Sequence, residues 1–250
     1  MFWNRLTYPQ ISALDRQTTI PILPVGAVEA HGPHLPLCTD DIISEGMALA
    51  ACEQLKPHGL RGVILPTWNL TPASFARDFP GTLSFSAATT RSMFEDLGRL
   101  LEGWPMLAVA NSHFDPEHLS ALKEALASLK LPVAFPDLTR GRHARRLSQE
   151  FQSGACHAGQ YESSVVLARS PELVGDLELP DVPHSLVEAI MQHKTSFVEA
   201  GGPQAYFGTP RLASAEEGRR TLEILGLILT ESILEEIKKG RSETGPAGSP

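Results

Sequence analysis

The chain has 250 residues, 42% of them hydrophobic and 20% charged, which is enough for one large domain with a substantial apolar core. Its formal net charge is −8, from 21 basic against 29 acidic residues, and this argues against the broad basic face of a nucleic-acid binder. The densest basic stretch, Arg140 to Arg146, reads as a solvated helix face. No apolar run approaches the roughly 20 residues of a membrane span, and Met1-Phe2-Trp3-Asn4-Arg5 lacks the pattern of a secretory leader. Cys38, Cys52 and Cys156 form no CxxC pair and cannot all pair internally, so free thiols and a cytoplasmic location are expected.

Short apolar runs alternate with amphipathic stretches, the pattern of an α/β fold with a mostly parallel sheet. Thr19 to Val25 reads as a strand, Asp41 to Leu55 as a helix and Gly62 to Leu65 as a second strand. A Pro-rich loop, Pro66 to Gly81, leads to an expected strand at Thr82 to Phe85. Thr90 to Leu101 is helical in pattern, Met106 to Ala110 is a buried strand, Pro116 to Leu129 a helix and Leu131 to Phe135 a strand. Arg140 to Phe151 and Gln160 to Ala168 read as further helices, while Pro171 to Thr209 carries no clear element. Ser214 and Glu217 have the spacing of a capping box that opens a long final helix through Ile237. The expected organisation is one domain over residues 1–239 and a disordered tail over 240–250.

The densest polar cluster follows the first strand, from Glu29-Ala30-His31 to Thr39-Asp40. Residues two apart on an extended segment point the same way, so Glu29 and His31 can address one point. The Gly and Pro between them and Asp40 turn the chain and can return Asp40 to that point. Two carboxylates and an imidazole form a set that suits Zn or Mn. His113 and Asp115 repeat the spacing just past the strand that ends at Ala110, and sites in open parallel sheets form outside the carboxyl ends of strands. Each aspartate also suits another role: Asp40 as the cap of the helix after it, and Asp115, before Pro116, as an N-cap with proline at the first helical position.

Leu23-Pro24-Val25-Gly26-Ala27-Val28-Glu29-Ala30-His31-Gly32-Pro33-His34-Leu35-Pro36, continuing to Thr39-Asp40, resembles the signature of the creatininase (creatinine amidohydrolase) family. Three later segments match in order: Phe79-Pro80-Gly81-Thr82, His157-Ala158-Gly159 through Glu162-Ser163-Ser164, and Gly208-Thr209-Pro210 through Gly218. The resemblance implies a three-layer α/β/α fold, a homo-oligomer that is often hexameric, and two divalent metal ions, Zn and/or Mn. Carried over residue by residue, it makes Glu29 and His113 ligands of one metal, His31 and Asp115 ligands of the other, Asp40 the bridge, and His157 the catalytic histidine. Glu162 would orient His157 or reach the metal, and His34 would orient a ligand. The chain also departs from the pattern. Asp115 stands where creatininase carries Glu, Gln160 replaces a carboxylate found in many members, and Ala76 replaces a common His. The stretch before His157 lacks the tryptophan that helps enclose creatinine, so a different substrate is expected.

The expected function is metal-dependent hydrolysis of an amide or cyclic-amide C–N bond in a small molecule. Two cations would share a bridging hydroxide, the pKa of water falling from 15.7 toward roughly 7, and His157 would carry a proton to the leaving nitrogen. Deformylation and small-peptide hydrolysis are the alternatives within the family. The rival from another class is a binding or scaffold protein that kept the fold without turnover. A Cys156 nucleophile beside His157 is the weaker competitor, since sequence neighbours rarely form a working pair, and no Gly-x-Ser-x-Gly elbow or phosphate-binding loop is present.

Overall fold

Thr19–Val25 forms strand β1, and all seven of its residues are buried. A strand covered on both faces reads as a near-continuous apolar run, as Ile20, Ile22, Leu23 and Val25 do here. With β2 (Arg61–Ile64), β3 (Leu107–Asn111) and β4 (Val133–Ala134) it makes a parallel sheet in the order β2-β1-β3-β4. The computed structural model of the protein describes residues 1–155 and 157–243, the last three by backbone alone. Cys156, the candidate thiol nucleophile, lies outside the described residues, as do residues 244–250.

The helices in chain order are α1 (Tyr8–Ser12), α2 (Thr39–Leu55), α3 (Ala87–Leu100), α4 (Pro116–Ala127), α5 (Gly141–Ala144), α6 (Gln149–Ser153), α7 (Gln160–Arg169), α8 (Leu186–Met191) and α9 (Ala215–Glu243). Strand side chains alternate between the two faces of the sheet. Ile20, Ile22, Ala108 and Ala110 pack against Met47, Val165, Leu225 and Leu229 of α2, α7 and α9. Leu23, Val25, Leu107 and Val109 pack against Phe94 and Leu122 of α3 and α4. The result is the expected three-layer α/β/α arrangement. No helix among the described residues is long and apolar enough to cross a membrane.

Several expected elements differ, each for a local reason. The helix expected over Arg140 to Phe151 is broken into α5 and α6, because the Ser148 hydroxyl accepts from Phe151 N at 3.3 Å and starts a new helix there. The strand expected at Leu131 to Phe135 shrinks to the two residues of β4, flanked by Pro132 and Pro136, which have no N–H to donate. Thr82 to Phe85 forms no strand; it is tied down by Leu83 N to the Val28 carbonyl (2.8 Å) and Phe85 N to the Thr71 carbonyl (3.0 Å). At the start of α9, Ser214 Oγ accepts from Glu217 N as a capping box requires, but Glu217 Oε2 accepts from Gln160 Nε2 instead of reaching back. The Ser214 N–H is taken by Ser164 Oγ. Residues 240–243, expected to open a disordered tail, continue α9, and the rest of the expected tail lies outside the described residues.

The strand order matters for function. From β1 the chain winds outward to β2 on one side and, through α3, to β3 and β4 on the other, so the crevice beyond the carboxyl ends of β1 and β3 is the topological switch point. The segments that begin at Gly26 and Ser112 both open onto it.

Candidate metal centre

Gly26 follows β1 directly and brings the start of α2 against the strand end. A Cβ at that position would sit 2.7 Å from Asp41 Oδ1 and 2.8 Å from Asp40 Cβ, so only a hydrogen fits. Asp40 lies in the first turn of α2, and its carbonyl accepts from Ser112 Oγ at 2.7 Å, which locks the helix start to the end of β3. Glu29 and His31 point to the same place, with Glu29 Oε1 3.9 Å from His31 Nε2. His113, from the far side, puts Nδ1 3.3 Å from Glu29 Oε1 and 3.1 Å from Asp40 Oδ2. All four residues are at most 2% exposed.

The backbone fixes which imidazole nitrogen faces the centre. A carbonyl can only accept, so a ring nitrogen bonded to one must carry the proton. His31 donates from Nδ1 to the Glu29 carbonyl (3.1 Å), which leaves the Nε2 lone pair inward. His113 donates from Nε2 to the Pro72 carbonyl (2.8 Å), which leaves Nδ1 inward. Asn111 braces the second of these by donating to the His113 carbonyl at 2.7 Å while its Oδ1 meets His118 Nε2 at 2.8 Å.

Glu29, Asp40 and His113 form one group able to hold a cation, His31, Asp40 and Glu162 a second, and Glu29, His31 and His157 a third, with the donor atoms of each within 4.8 Å of one another. Asp40 belongs to the first two. Glu29 Oε2, His31 Nε2 and Asp40 Oδ2 are buried without a hydrogen-bond partner, although Asp40 Oδ2 lies close to His113. Buried polar atoms are rarely left so. Atoms that face one point without hydrogen-bond alignment fit a pair of divalent cations, and the carboxylate and imidazole donors suit Zn or Mn.

The electrostatics point the same way. Burial disfavours the charged form of His31, yet the contact with Asp40 and the charges of Glu162, Asp40 and Glu29 override it and raise its pKa to about 10. His113 rises well above the usual histidine range against its own burial, driven by Glu29 and Asp40. Burial also works to raise Asp40, but His113 and His31 hold it below the usual carboxylate range. Burial pushes Glu162 up to about 8, against the pull of His31. Three acidic side chains crowded together favour positive charge at this point.

Glu162 reaches the centre from α7, with Oε2 3.6 Å from His31 Nε2. The same oxygen accepts from Ala158 N at 2.6 Å, in a turn where Ala158 takes the left-handed conformation at φ 51°. His34 Nε2 donates to the Ala158 carbonyl (2.9 Å) and also contacts Ser163 Oγ (3.2 Å), so it steadies this turn and does not touch a candidate ligand. His157 enters from the turn with Nδ1 3.8 Å from Glu29 Oε1, while Nε2 donates to the Ala30 carbonyl at 2.9 Å. Its ring is stacked on Phe197, centroids 4.0 Å apart, and burial with the nearby His31 charge lowers its pKa well below the usual value.

Asp115 is placed differently from the expectation. Its Oδ1 accepts from Glu117 N (2.8 Å) and caps α4, and its Oδ2 accepts from Phe75 N and Ser74 Oγ (both 3.1 Å). It belongs to none of these cation groups. The capping role that Asp-Pro suggests by itself is the one seen, and Glu162 stands where the second group needs its carboxylate.

Other participants carried no signal in the sequence. Phe197 lies in the stretch without clear elements. Glu150 sits in α6, where Oε2 accepts from Tyr161 N (2.7 Å) and Oε1 from Thr209 N (2.8 Å). This ties α6, the start of α7 and the Gly208-Thr209 segment together around the His157 turn. Gly159 has no Cβ because Glu150 Oε2 would lie 2.6 Å from it, and Gly208 faces the same carboxylate.

A cavity of ≈ 530 Å³ opens on the centre, with Glu29, Asp40, His113, His157 and Glu162 among its lining residues. Its walls include Phe75, Phe114, Phe151, Leu186, Ile190 and Phe197, and no lysine or arginine lines it among the described residues.

Residues 4–233 match the family model Creatininase, described as creatinine amidohydrolase. The chain belongs to the creatininase family. It is 31% identical over 207 residues to a mycofactocin precursor peptide peptidase of Mycobacterium ulcerans (strain Agy99), a match covering 80% of this chain and 78% of that protein. It is 22% identical over 255 residues to the creatinine amidohydrolase of Pseudomonas putida, covering 94% and 97% of the two chains. Among solved structures, a mutant creatininase complexed with creatine aligns at a TM-score of 0.72 and 23% identity over 94% of this chain and 98% of that one. A structure titled creatininase Mn aligns at 0.68 and 21%, again over 94% and 98%. Zn-Zn and Mn forms both occur among these neighbours.

Proposed function

We propose that the protein is a two-metal hydrolase that cleaves an amide bond of a short peptide with an apolar residue next to the cleaved bond. The observation that carries this reading is the cavity, whose aromatic and aliphatic walls include no lysine or arginine among the described residues and which leads directly to two cation groups sharing Asp40. Relatives named as peptide peptidases support a peptide over the small cyclic amide first expected. Glu29, Asp40 and His113 would hold one cation, and His31, Asp40 and Glu162 the other. Bound there, the cations supply Lewis acidity, polarising a carbonyl and easing ionisation of water at neutral pH.

The chain's own residues then account for the proton. His157 is held neutral by burial, and its Nε2 proton is committed to the Ala30 carbonyl, so the Nδ1 lone pair faces the reacting groups. It accepts a proton at Nδ1 as water adds to the carbonyl carbon and delivers it to the departing nitrogen as the C–N bond breaks. Phe197, stacked on the ring, keeps that nitrogen in place and limits water access. Phe75, Phe151, Leu186 and Ile190 bind the apolar side chain beside the cleaved bond.

The test is a panel of short apolar peptides, formamides, lactams and creatinine, assayed with Zn- and Mn-loaded protein. Peptide cleavage is expected to exceed turnover of the others. His157→Ala should keep its metal and lose about 10²–10⁴-fold in rate, whereas His31→Ala should lose metal and hydrolysis together. Creatinine turnover without peptide cleavage would reject the reading.

A further inference from the structure

α4 and the segment from Asp137 to Ala144 wall two adjoining hollows. Pro116, Leu119, Thr139 and Ala144 face the apolar cavity. Lys123, four residues beyond Leu119 and so about 6 Å further along the helix, lines a second hollow with Phe135, Asp137, Arg140 and Arg142. The basic stretch that reads in sequence as a solvated helix face thus lies beside the substrate chamber.

Charge in this second hollow is unbalanced. Asp137 is the acid among its lining residues, and it is fully engaged: Oδ2 meets Lys123 Nζ at 2.7 Å and Arg140 Nε at 3.4 Å, and Oδ1 accepts from the Thr139 N–H and hydroxyl. Arg142 donates to His143 Nε2, and its ion pair with Glu235 is long, at 3.9 Å. With Glu235 counted, three cations face two carboxylates, which leaves a surplus of one positive charge. The Arg140 and Arg142 side chains are 72% and 62% exposed, so their guanidinium groups can take a ligand without breaking a buried contact. Such a surplus is out of character for a chain of net charge −8.

We propose that this hollow is a subsite for acidic side chains of the peptide whose cleaved bond lies over the metal centre. The inference rests on the peptide-hydrolase reading above. An extended peptide advances about 3.3 Å per residue, so the acid sits two or three residues from the one held in the apolar cavity. Arg140 and Arg142 offer paired donors matched to a carboxylate, and Phe135 gives the peptide backbone an apolar wall.

Two sets of eight-residue peptides decide it. They share a Leu-Phe core and carry either Asp-Asp-Glu or Asn-Asn-Gln, placed in turn on each side of the core. Each is measured on metal-loaded protein for kcat/KM and, by calorimetry, for binding. At low ionic strength the acidic peptide on one side is expected to be favoured about 3- to 30-fold, as exposed charge pairs allow, with the preference shrinking in salt. The double variant R140S/R142S should lose the preference and leave the neutral peptide unchanged. Equal treatment of acidic and neutral peptides overturns the subsite, as does a preference that survives in R140S/R142S. A smaller assembly of that variant in light scattering also overturns it, since the basic face would then join two copies of the chain. If no peptide is cut, the hydrolase reading fails, and the calorimetry still reports whether the basic hollow selects acid.

Discussion

Replacing Asp115 separates two assignments that the sequence leaves open. In the structure its carboxylate caps α4 and accepts from the buried Phe75 N–H and the Ser74 hydroxyl. Asp115→Ala removes the cap, at about 0.5–2 kcal/mol, and strands the Phe75 donor, at about 1–3 kcal/mol. A combined loss of roughly 3 kcal/mol in a chain of this size lowers Tm by about 6–12 °C. Asp115→Asn keeps one acceptor oxygen for the helix but turns its NH2 toward the Phe75 N–H, so it recovers only the capping part of the loss, about 0.5–2 kcal/mol, and its Tm should lie between those of Asp115→Ala and the wild type. Both variants, kept well below their transitions, should bind the wild-type equivalents of Zn, measured by mass spectrometry of the metal content and by differential scanning calorimetry on the same sample. Loss of one metal equivalent in Asp115→Asn with Tm unchanged would make Asp115 a ligand and refute the capping account.

Further predictions follow the same geometry. Glu162→Gln should bind one metal equivalent fewer and keep its fold, as read by metal content and circular dichroism. Metal affinity should rise with pH. His31, His113 and Glu162 all have raised pKa values, so each gives up a proton when both cations bind near neutral pH. Chelator-buffered Zn titrations should therefore gain up to about three log units per pH unit below about pH 8, and a flat profile would contradict the charge assignment. Phe197→Ala admits water beside His157, whose pKa is held down by burial, so that pKa rises and the acid limb of kcat/KM moves to higher pH. Glu150→Ala leaves the Tyr161 and Thr209 N–H groups without their acceptor and should cost about 2–4 kcal/mol in denaturant unfolding.

Much of this was legible from periodicity and local chemistry. β1 declares itself because seven residues are buried on both faces, and the i, i+2 spacing of Glu29 and His31 follows from extended geometry. The convergence of His113 with them depends on β1 and β3 being neighbours, which the parallel α/β pattern makes reasonable. Local spacing misleads at Asp115, where the same two-residue offset from His113 leads into a helix cap. Nothing local places Glu162 opposite His31, since the two are joined only through packing of α7 on α2 and the turn at Ala158. Glu150 and Phe197 act on the His157 turn across long stretches of chain, one from a segment that reads as an exposed helix and the other from one without periodicity. The basic stretch after Arg140 changes meaning once Thr139 and Ala144 are seen to wall the cavity.

Anomalous diffraction from crystals grown with Zn or Mn tests the bridging role of Asp40 most directly. Two peaks are expected astride its carboxylate, one bounded by Glu29 and His113 and the other by His31 and Glu162. A single peak away from Asp40, or a second ion held by Asp115 in place of Glu162, would contradict the account.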